Sequence, residues 1–412
     1  MNFDLTLECA LNLDELDNLK DFKELFFYPS NNKKKSIYLS GNSLGLQPKS
    51  VSHYINKELS VWKNRGVFGQ HERWEHFHER LSKTTAQIVG AKNSEVVVMN
   101  ALTVNLHLLL VSFYQPTKMK YKIIIESGAF PSDLYAIHSQ VKFHGLEPKE
   151  SIIEIMPRKG EYSIRKEDIV KTIRDCDSLA LVLIGGVNYY TGQSFDMKTI
   201  ANEAKQVGAV VGFDLAHAAG NINLQLNKWD ADFATWCSYK YLCGGPGAPS
   251  GVYINEKHHD WNGPRFEGWW GNDKSTRFKM DKEFMPIRSA EAWQISNAPI
   301  FGMSSLIASM EIYDKANIKN VSKKGIQLSS YFLYLLKNII PNITVITPSE
   351  RGCQLSLIIP KGKNIFKELQ KQFVACDWRE PNVIRFAPHP LYNSFVEIFD
   401  FVQLLKQIIN EK

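Results

Sequence analysis

The chain of 412 residues predicts an α/β fold, a large domain on a mostly parallel sheet followed by a smaller C-terminal α+β domain. Three observations predict it. From about residue 95, short β-branched runs alternate with amphipathic stretches, the order that lays parallel strands with helical crossovers. The runs are nearly continuous in apolar residues, as in strands covered on both faces. After about residue 300 the alternation gives way to two long helical stretches, two strand-like pieces and a closing helix.

The strand candidates are VVVM at 96–99, III at 123–125, IIEIM at 152–156, LALVLI at 179–184, AVVGFD at 209–214, DFATWC at 232–237 and GVYI at 251–254. Helical stretches fall between them at 103–114, 131–145, 165–175 and 196–208. The later region predicts helices at 303–316 and 326–339, strands at 343–347 and 354–360, and a helix at 394–409. The resulting division is an N-terminal segment, 1–40, packing on the domains; a large domain, 41–300; and a smaller domain, 301–412. The N-terminal segment is too short to bury a core of its own.

Composition narrows the class. Hydrophobic residues make up 44% and charged residues 22%, the balance of a globular protein. The net charge of +6 is dispersed, and its one dense run, KKK at 33–35, reads as a solvated polar loop rather than a nucleic-acid patch. The first residues are acidic and lack a basic region followed by an apolar one, so no secretory signal is expected. The longest apolar runs, such as LHLLLVSFY at 106–114, fall short of the roughly 18 residues of a membrane span. Six cysteines (Cys9, Cys176, Cys237, Cys243, Cys353, Cys376) are scattered without a CxxC pair. That pattern points to a reducing compartment, the cytoplasm, with neither a disulfide framework nor a metal site.

Ligands of open α/β sheets bind beyond the carboxyl ends of the strands, and several polar residues fall there. Asp214 ends an apolar strand and His217 follows it; alone, the pair reads equally as a helix cap and a satisfied helix histidine. Lys240, in WCSYKYLCGGPGAPSGVYI at 236–254, follows the next strand, inside an apolar stretch where lysine is rarely buried. Thr103 and Ser132 place hydroxyls at strand-to-helix turns, where helix N-termini bind phosphate, and Pro131 suits a first helical turn. A lysine for a Schiff base, a carboxylate for a pyridinium nitrogen and a helix-end cradle for phosphate are what pyridoxal 5'-phosphate (PLP) requires. Phe130 supplies an aromatic face for the ring. The dinucleotide fingerprint G-x-G-x-x-G does not fit GGPGAPSG at 244–251, and no Walker lysine motif or HExxH occurs.

The chain resembles the kynureninase family of fold-type-I PLP-dependent hydrolases. The resemblance rests on GNSLGLQPK at 41–49, MNALTVNLHLLL at 99–110, GAFPSDLYAIHSQ at 128–140, NYYTGQ at 188–193, GFDLAHAAGN at 212–221, the segment at 236–254, EGWWG at 267–271, STRFKMD at 275–281, ISNAPI at 295–300 and VIRFAPHPLYNSF at 383–395. It implies the PLP-dependent transferase-like fold and hydrolytic Cβ–Cγ cleavage of L-kynurenine or 3-hydroxy-L-kynurenine, in tryptophan breakdown. Lys240 is then the Schiff-base lysine, Asp214 the pyridinium partner, and Tyr239 both a phosphate contact and the candidate proton donor. Leu102, Thr103, Phe130, Pro131, Ser132, Asp133 and His217 line the cofactor. Trp269 and Asn297 close the site from a neighbouring subunit, so a homodimer is implied. Ser43, His71, Trp270, Asn297 and Arg385 face the substrate, Arg385 gripping its α-carboxylate. The chain departs from the family at Gly185, where a hydroxyl is common, and at Asn272, where a histidine is usual. The rivals are a cysteine desulfurase, for which Cys353 is the only candidate nucleophile, an aminotransferase, and a non-catalytic binder of the same fold.

Overall fold

The computed structural model describes residues 3–31 and 34–411. Seven strands form the large sheet: β1 (Val96–Met99), β2 (Lys122–Glu126), β3 (Ile152–Ile155), β4 (Leu179–Gly185), β5 (Val210–Asp214), β6 (Phe233–Trp236) and β7 (Ser250–Ile254). Their order is β1-β7-β6-β5-β4-β2-β3. The central pairs are parallel, and β7 alone runs against its neighbours β6 and β1. All seven strand candidates are thus strands, within one or two residues of the predicted limits.

Both faces are covered, as the unbroken apolar runs require. On one side Val97, Ile123, Ile125, Leu181, Leu183 and Phe233 share a core with α2 (Leu102–Phe113) and α3 (Pro131–Phe143). On the other, Val182, Ile184, Val211 and Phe213 meet α4 (Lys166–Asp175) and α5 (Met197–Gln206). Each fully buried aliphatic side chain contributes about 1.5–3 kcal/mol. The helices differ at their starts. Asp196 caps α5, accepting the Thr199 N–H at 3.0 Å. By contrast α2 and α3 begin at Ala101 and Phe130, with no side-chain cap. Pro131 has no N–H and the Asp133 N–H bonds the Phe130 carbonyl at 2.9 Å, so the N–H groups of Leu102, Thr103 and Ser132 remain open to an external acceptor.

The second sheet is antiparallel: β8 (Thr344–Val345), β9 (Leu355–Ile358), β10 (Asp377–Arg379) and β11 (Val383–Phe386), in the order β8-β9-β11-β10. Helices α6 (Ile300–Ala316), α7 (Ile318–Ile339) and α8 (Phe395–Asn410) accompany it. The change of core falls later than residue 300. Met303, Leu306, Met310 and Tyr313 of α6 pack in the large core, and beyond residue 300 the first fully buried residue of the second core is Leu328, within α7. A helical stretch shows no sign in sequence of which core its apolar stripe will meet.

Helix α1 (Leu7–Glu15) sends Ala10 and Leu13 into the second core, and Asp14 accepts the Phe395 and Val396 N–H groups of α8 at 2.7 and 3.1 Å. Ile37–Tyr38 pairs in parallel with Val374–Ala375. In the basic run at 33–35, Lys34 and Lys35 are exposed and Lys33 lies outside the described residues. Among the described residues no helix is long and apolar enough to cross a membrane.

Gly212, just before the strand end that carries Asp214, is required by a close approach. A Cβ there would meet the Phe233 ring at 2.1–2.7 Å, and that ring is stacked on Phe113 at 4.9 Å. Gly212→Ala should cost about 1–3 kcal/mol by overpacking. A urea titration should show a lower midpoint at constant m; an unchanged midpoint would refute the packing argument.

Candidate active site

The parallel strands end together. Asp214 closes β5 in register with Gly185 of β4 and Thr235 of β6, and Glu126 closes β2. The Glu126 carboxylate accepts the Gly185 N–H at 3.1 and 3.2 Å, while Asp214 accepts the Ala216 N–H at 2.7 Å. Lys240 reaches back over this edge, its Nζ 3.1 Å from His217 Nε2 and facing the rings of Phe130 and Tyr239 at 5.8 and 5.7 Å. Leu102, Thr103, Phe130, Ser132, Asp133, Asp214, His217, Tyr239 and Lys240 line one cavity. The hydroxyls of Thr103 and Ser132, at the uncapped starts of α2 and α3, lie 2.7 Å apart. Pro131 is exposed in the first turn of α3 and outside that lining.

The electrostatics follow from desolvation. Burial pushes Glu126 up to about 7 against the pull of its backbone N–H donors. Burial also raises Asp133 and Asp214, and Asp133 is raised further by its two anionic neighbours. His217 is driven well below its ordinary value by burial and then by the positive charges of Lys240, Arg385 and Arg379, so its ring is neutral. Its Nε2 accepts from Lys240, and its Nδ1 is buried without a partner. The Oδ1 of Asp133 and Oγ of Ser238 are also buried and unpartnered.

A second cluster adjoins the cavity through Tyr189. Arg385, 1% exposed on β11, donates from Nη1 to the Tyr189 carbonyl at 2.6 Å and from Nη2 to the Asp377 carboxylate. Ser43 donates to the same Asp377 oxygen at 2.7 Å, and Arg379 Nη2 at 2.9 Å. The Tyr189 ring, 5.9 Å from the Arg385 guanidinium carbon, belongs to the cavity wall.

Other sequence candidates stand apart within this chain. His71 is exposed and bonded to Glu75. Trp269 is 49% exposed, with its indole donating to the Arg277 carbonyl at 2.9 Å. Trp270 is buried beneath the Arg277 guanidinium at 4.4 Å, and Asn297 is exposed. None of the four lines the cavity. Asn272 accepts the Met285 N–H at 2.6 Å, a loop contact. At Gly185 a Cβ would stand 2.8 Å from Glu126 Oε1, so the glycine lets that carboxylate close on the strand end.

Sequence reading missed Glu126, Tyr189, Asp377 and Arg379. Glu126 carries the signal that found Asp214, a carboxylate ending an apolar strand. Asp377 and Arg379 become meaningful only through cross-strand pairing with Arg385. Cys353, by contrast, is fully buried, and burial pushes its thiol up to about 12, the opposite of an exposed nucleophile.

Solved structures with this fold include an apo cysteine desulfurase from Thermococcus onnurineus NA1 (TM-score 0.75, 19% identity, 92% of this chain and 95% of that one). Another is a C-DES variant with glycine covalently linked to its PLP cofactor (TM-score 0.78, 14% identity, 90% and 96%). The fold is therefore that of the fold-type-I PLP enzymes. A family model described as Kynureninase C-terminal domain matches residues 321–405. Kynureninase from Flavobacterium psychrophilum is 50% identical over 100% of both chains, and that of Rattus norvegicus 46% identical over 100% of this chain and 95% of its own. Kynureninase from Homo sapiens is 45% identical over 97% and 92%. The chain belongs to the kynureninase family.

The raised value of Glu126 carries a pH signature. Protonation favours the folded form, so its stabilisation is complete below the unfolded value, about 4.3, and is lost as pH rises through about 7. Cofactor-free wild type should therefore lose about 2–3 kcal/mol more than Glu126→Gln between pH 5 and pH 8. Parallel pH profiles from urea unfolding would show that Glu126 is ionised in the folded protein throughout.

Proposed function

We propose that the chain cleaves the Cβ–Cγ bond of L-kynurenine, or of 3-hydroxy-L-kynurenine, with water, yielding an anthranilate and L-alanine with PLP as cofactor. The observation that carries this reading is Lys240 against His217 and Asp214 at the sheet's carboxyl edge, in a chain half identical to a kynureninase along its whole length. The residues fit PLP by their own chemistry. The unpartnered buried Nδ1 of His217 and Oδ1 of Asp133 face a cavity that also has two uncapped helix starts with paired hydroxyls.

Lys240 would bond the cofactor covalently, with Asp214 at its ring nitrogen, His217 and Asp133 beside it, and Phe130 on its face. Leu102, Thr103, Ser132 and Tyr239 would hold its phosphate. When bound, PLP supplies an aldehyde for the substrate amine and a ring that accepts electrons from a neighbouring carbon.

The chain's own groups then divide the work. The Lys240 amine takes the proton from the substrate Cα and later returns it, as general base and then acid. A neutral His217 beside it adds no like charge. Arg385 holds the α-carboxylate from a buried position, which fixes the orientation of Cα. Tyr239, its phenol raised by burial and by the Cys237 thiol, stays protonated and can protonate the β-carbon once the anthranilate has left.

Trp269 and Asn297, exposed and away from the cavity of their own chain, fit the homodimer in which each closes the neighbouring site. Scattered free cysteines fit the cytoplasm. Small molecules, not nucleic acid or membrane, are the partners, and tryptophan breakdown is the setting.

Incubation of the purified protein and PLP with L-kynurenine should release an anthranilate and alanine in equal amounts; a PLP-loaded protein giving neither would overturn the assignment. Lys240→Ala should lower kcat by roughly 10³-fold or more, and near-normal turnover would remove it from the chemistry. Arg385→Lys should raise KM by roughly tenfold, since a point charge replaces a two-pronged donor. An unchanged KM would take Arg385 away from the carboxylate.

A further inference from the structure

Asp377 has no part in the reaction described so far, yet it occupies the residue that reaction needs free. It lies directly opposite Arg385 on the neighbouring antiparallel strand, and Arg379, two positions along, lies on the same face. One carboxylate thus stands between two guanidiniums, bonded to Arg385 Nη2 on one side and to Arg379 Nη2, at 2.9 Å, on the other. Of the Arg385 donors, Nη1 is engaged by the Tyr189 carbonyl, Nη2 by Asp377, and Nε is buried with no partner.

We infer that Asp377 is an internal stand-in for the substrate's α-carboxylate, holding Arg385 in the ligand-free protein and passing to Arg379 when the substrate takes its place. The inference rests on the assignment of Arg385 to the α-carboxylate. A buried guanidinium without an anion is strongly unfavourable, and Asp377 removes that cost while the site is empty of substrate. A second carboxylate on the same Nη2 would meet an anion already there, so one of the two has to move. Asp377 has somewhere to go. Arg379 already holds it, and the Arg379 side chain, 38% exposed, faces outward where the pair can be hydrated. Two cations and one anion become two cations and two anions, each anion with its own guanidinium. Ser43, bonded to Asp377 and 3.5 Å from Arg385 Nη2, can donate to whichever carboxylate is present.

The exchange sets the net gain of carboxylate binding. An acid has to displace Asp377 from Arg385, whereas an amine ligand lacking a carboxylate leaves that pair in place, so Asp377 offsets part of the affinity that the Arg385 ion pair would otherwise give.

The test is a set of variants assayed for KM and kcat with L-kynurenine, their folding checked by urea titration. Asp377→Asn should lower KM by roughly fivefold and change kcat less, and Asp377→Glu, which keeps the charge, should return KM toward wild type. Arg379→Gln should raise KM by roughly fivefold in the wild-type background and have little effect in the Asp377→Asn background. An increase in KM for Asp377→Asn, or equal effects of Arg379→Gln in both backgrounds, would overturn the exchange and leave a structural ion pair. Should Asp377→Asn fail to fold, inhibition by L-alanine and by L-alaninamide decides. Arg379→Gln should weaken the acid and spare the amide, and equal weakening refutes the proposal. Wild-type turnover and the Arg385→Lys variant test the underlying assignment separately.

Discussion

Three carboxyl groups, Glu126, Asp133 and Asp214, face one ammonium, Lys240, at a strand edge that water barely reaches. Fully ionised, that set would carry excess negative charge in a medium that penalises it. Burial raises all three carboxyls, and backbone donors from Gly185 and Ala216 offset part of that at Glu126 and Asp214. A cationic group entering this cavity would be favoured by the carboxyls, while an anionic one would be favoured at the two uncapped helix starts. The parallel register produces this arrangement, because it brings the ends of β2, β4 and β5 level.

The large sheet was legible because its strands are buried on both faces and read as unbroken apolar runs. Asp214 and Lys240 were legible as site candidates because each follows an apolar strand and the two together, with His217, are harder to account for structurally than any one of them alone. Glu126 carries the same mark, a carboxylate closing an apolar strand. Elsewhere legibility failed for physical reasons. The helices at Val51–Arg65 and Ser82–Val89 precede the alternation of strands and helices that begins near residue 95, and α6 gives no local sign that it joins the large core. Asp377 and Arg379 sit in a short, half-buried strand whose meaning depends on its partner across the ladder. His71, Trp269, Trp270 and Asn297 came from resemblance alone, and within one chain none of them reaches the cavity.

The segment around residue 43 ties these parts together more tightly than its length suggests. Ser43 bonds to Asp377 of the second sheet, while the Gly45 N–H donates to the carbonyl of Tyr239, next to Lys240. Gly45 is also pressed so closely on this loop that a Cβ would lie 2.5 Å from the Lys240 carbonyl oxygen. One short stretch of backbone thus touches both the lysine loop and the carboxylate cluster. A shift of the second sheet relative to the first would be felt at both the Lys240 loop and the Asp377 cluster.

The antiparallel strand β7 has a further consequence, for synthesis on the ribosome. Because β1 pairs only with β7, the sheet's edge strand waits unpaired until residues 250–254 have been made. Chains grow from the N-terminus, and contacts this distant in sequence form late. Lys240 and its cavity can come together at that stage, but Arg385 emerges well over a hundred residues afterwards. In a growing chain every residue that lines the Lys240 cavity is therefore made before Arg385 and Asp377 exist.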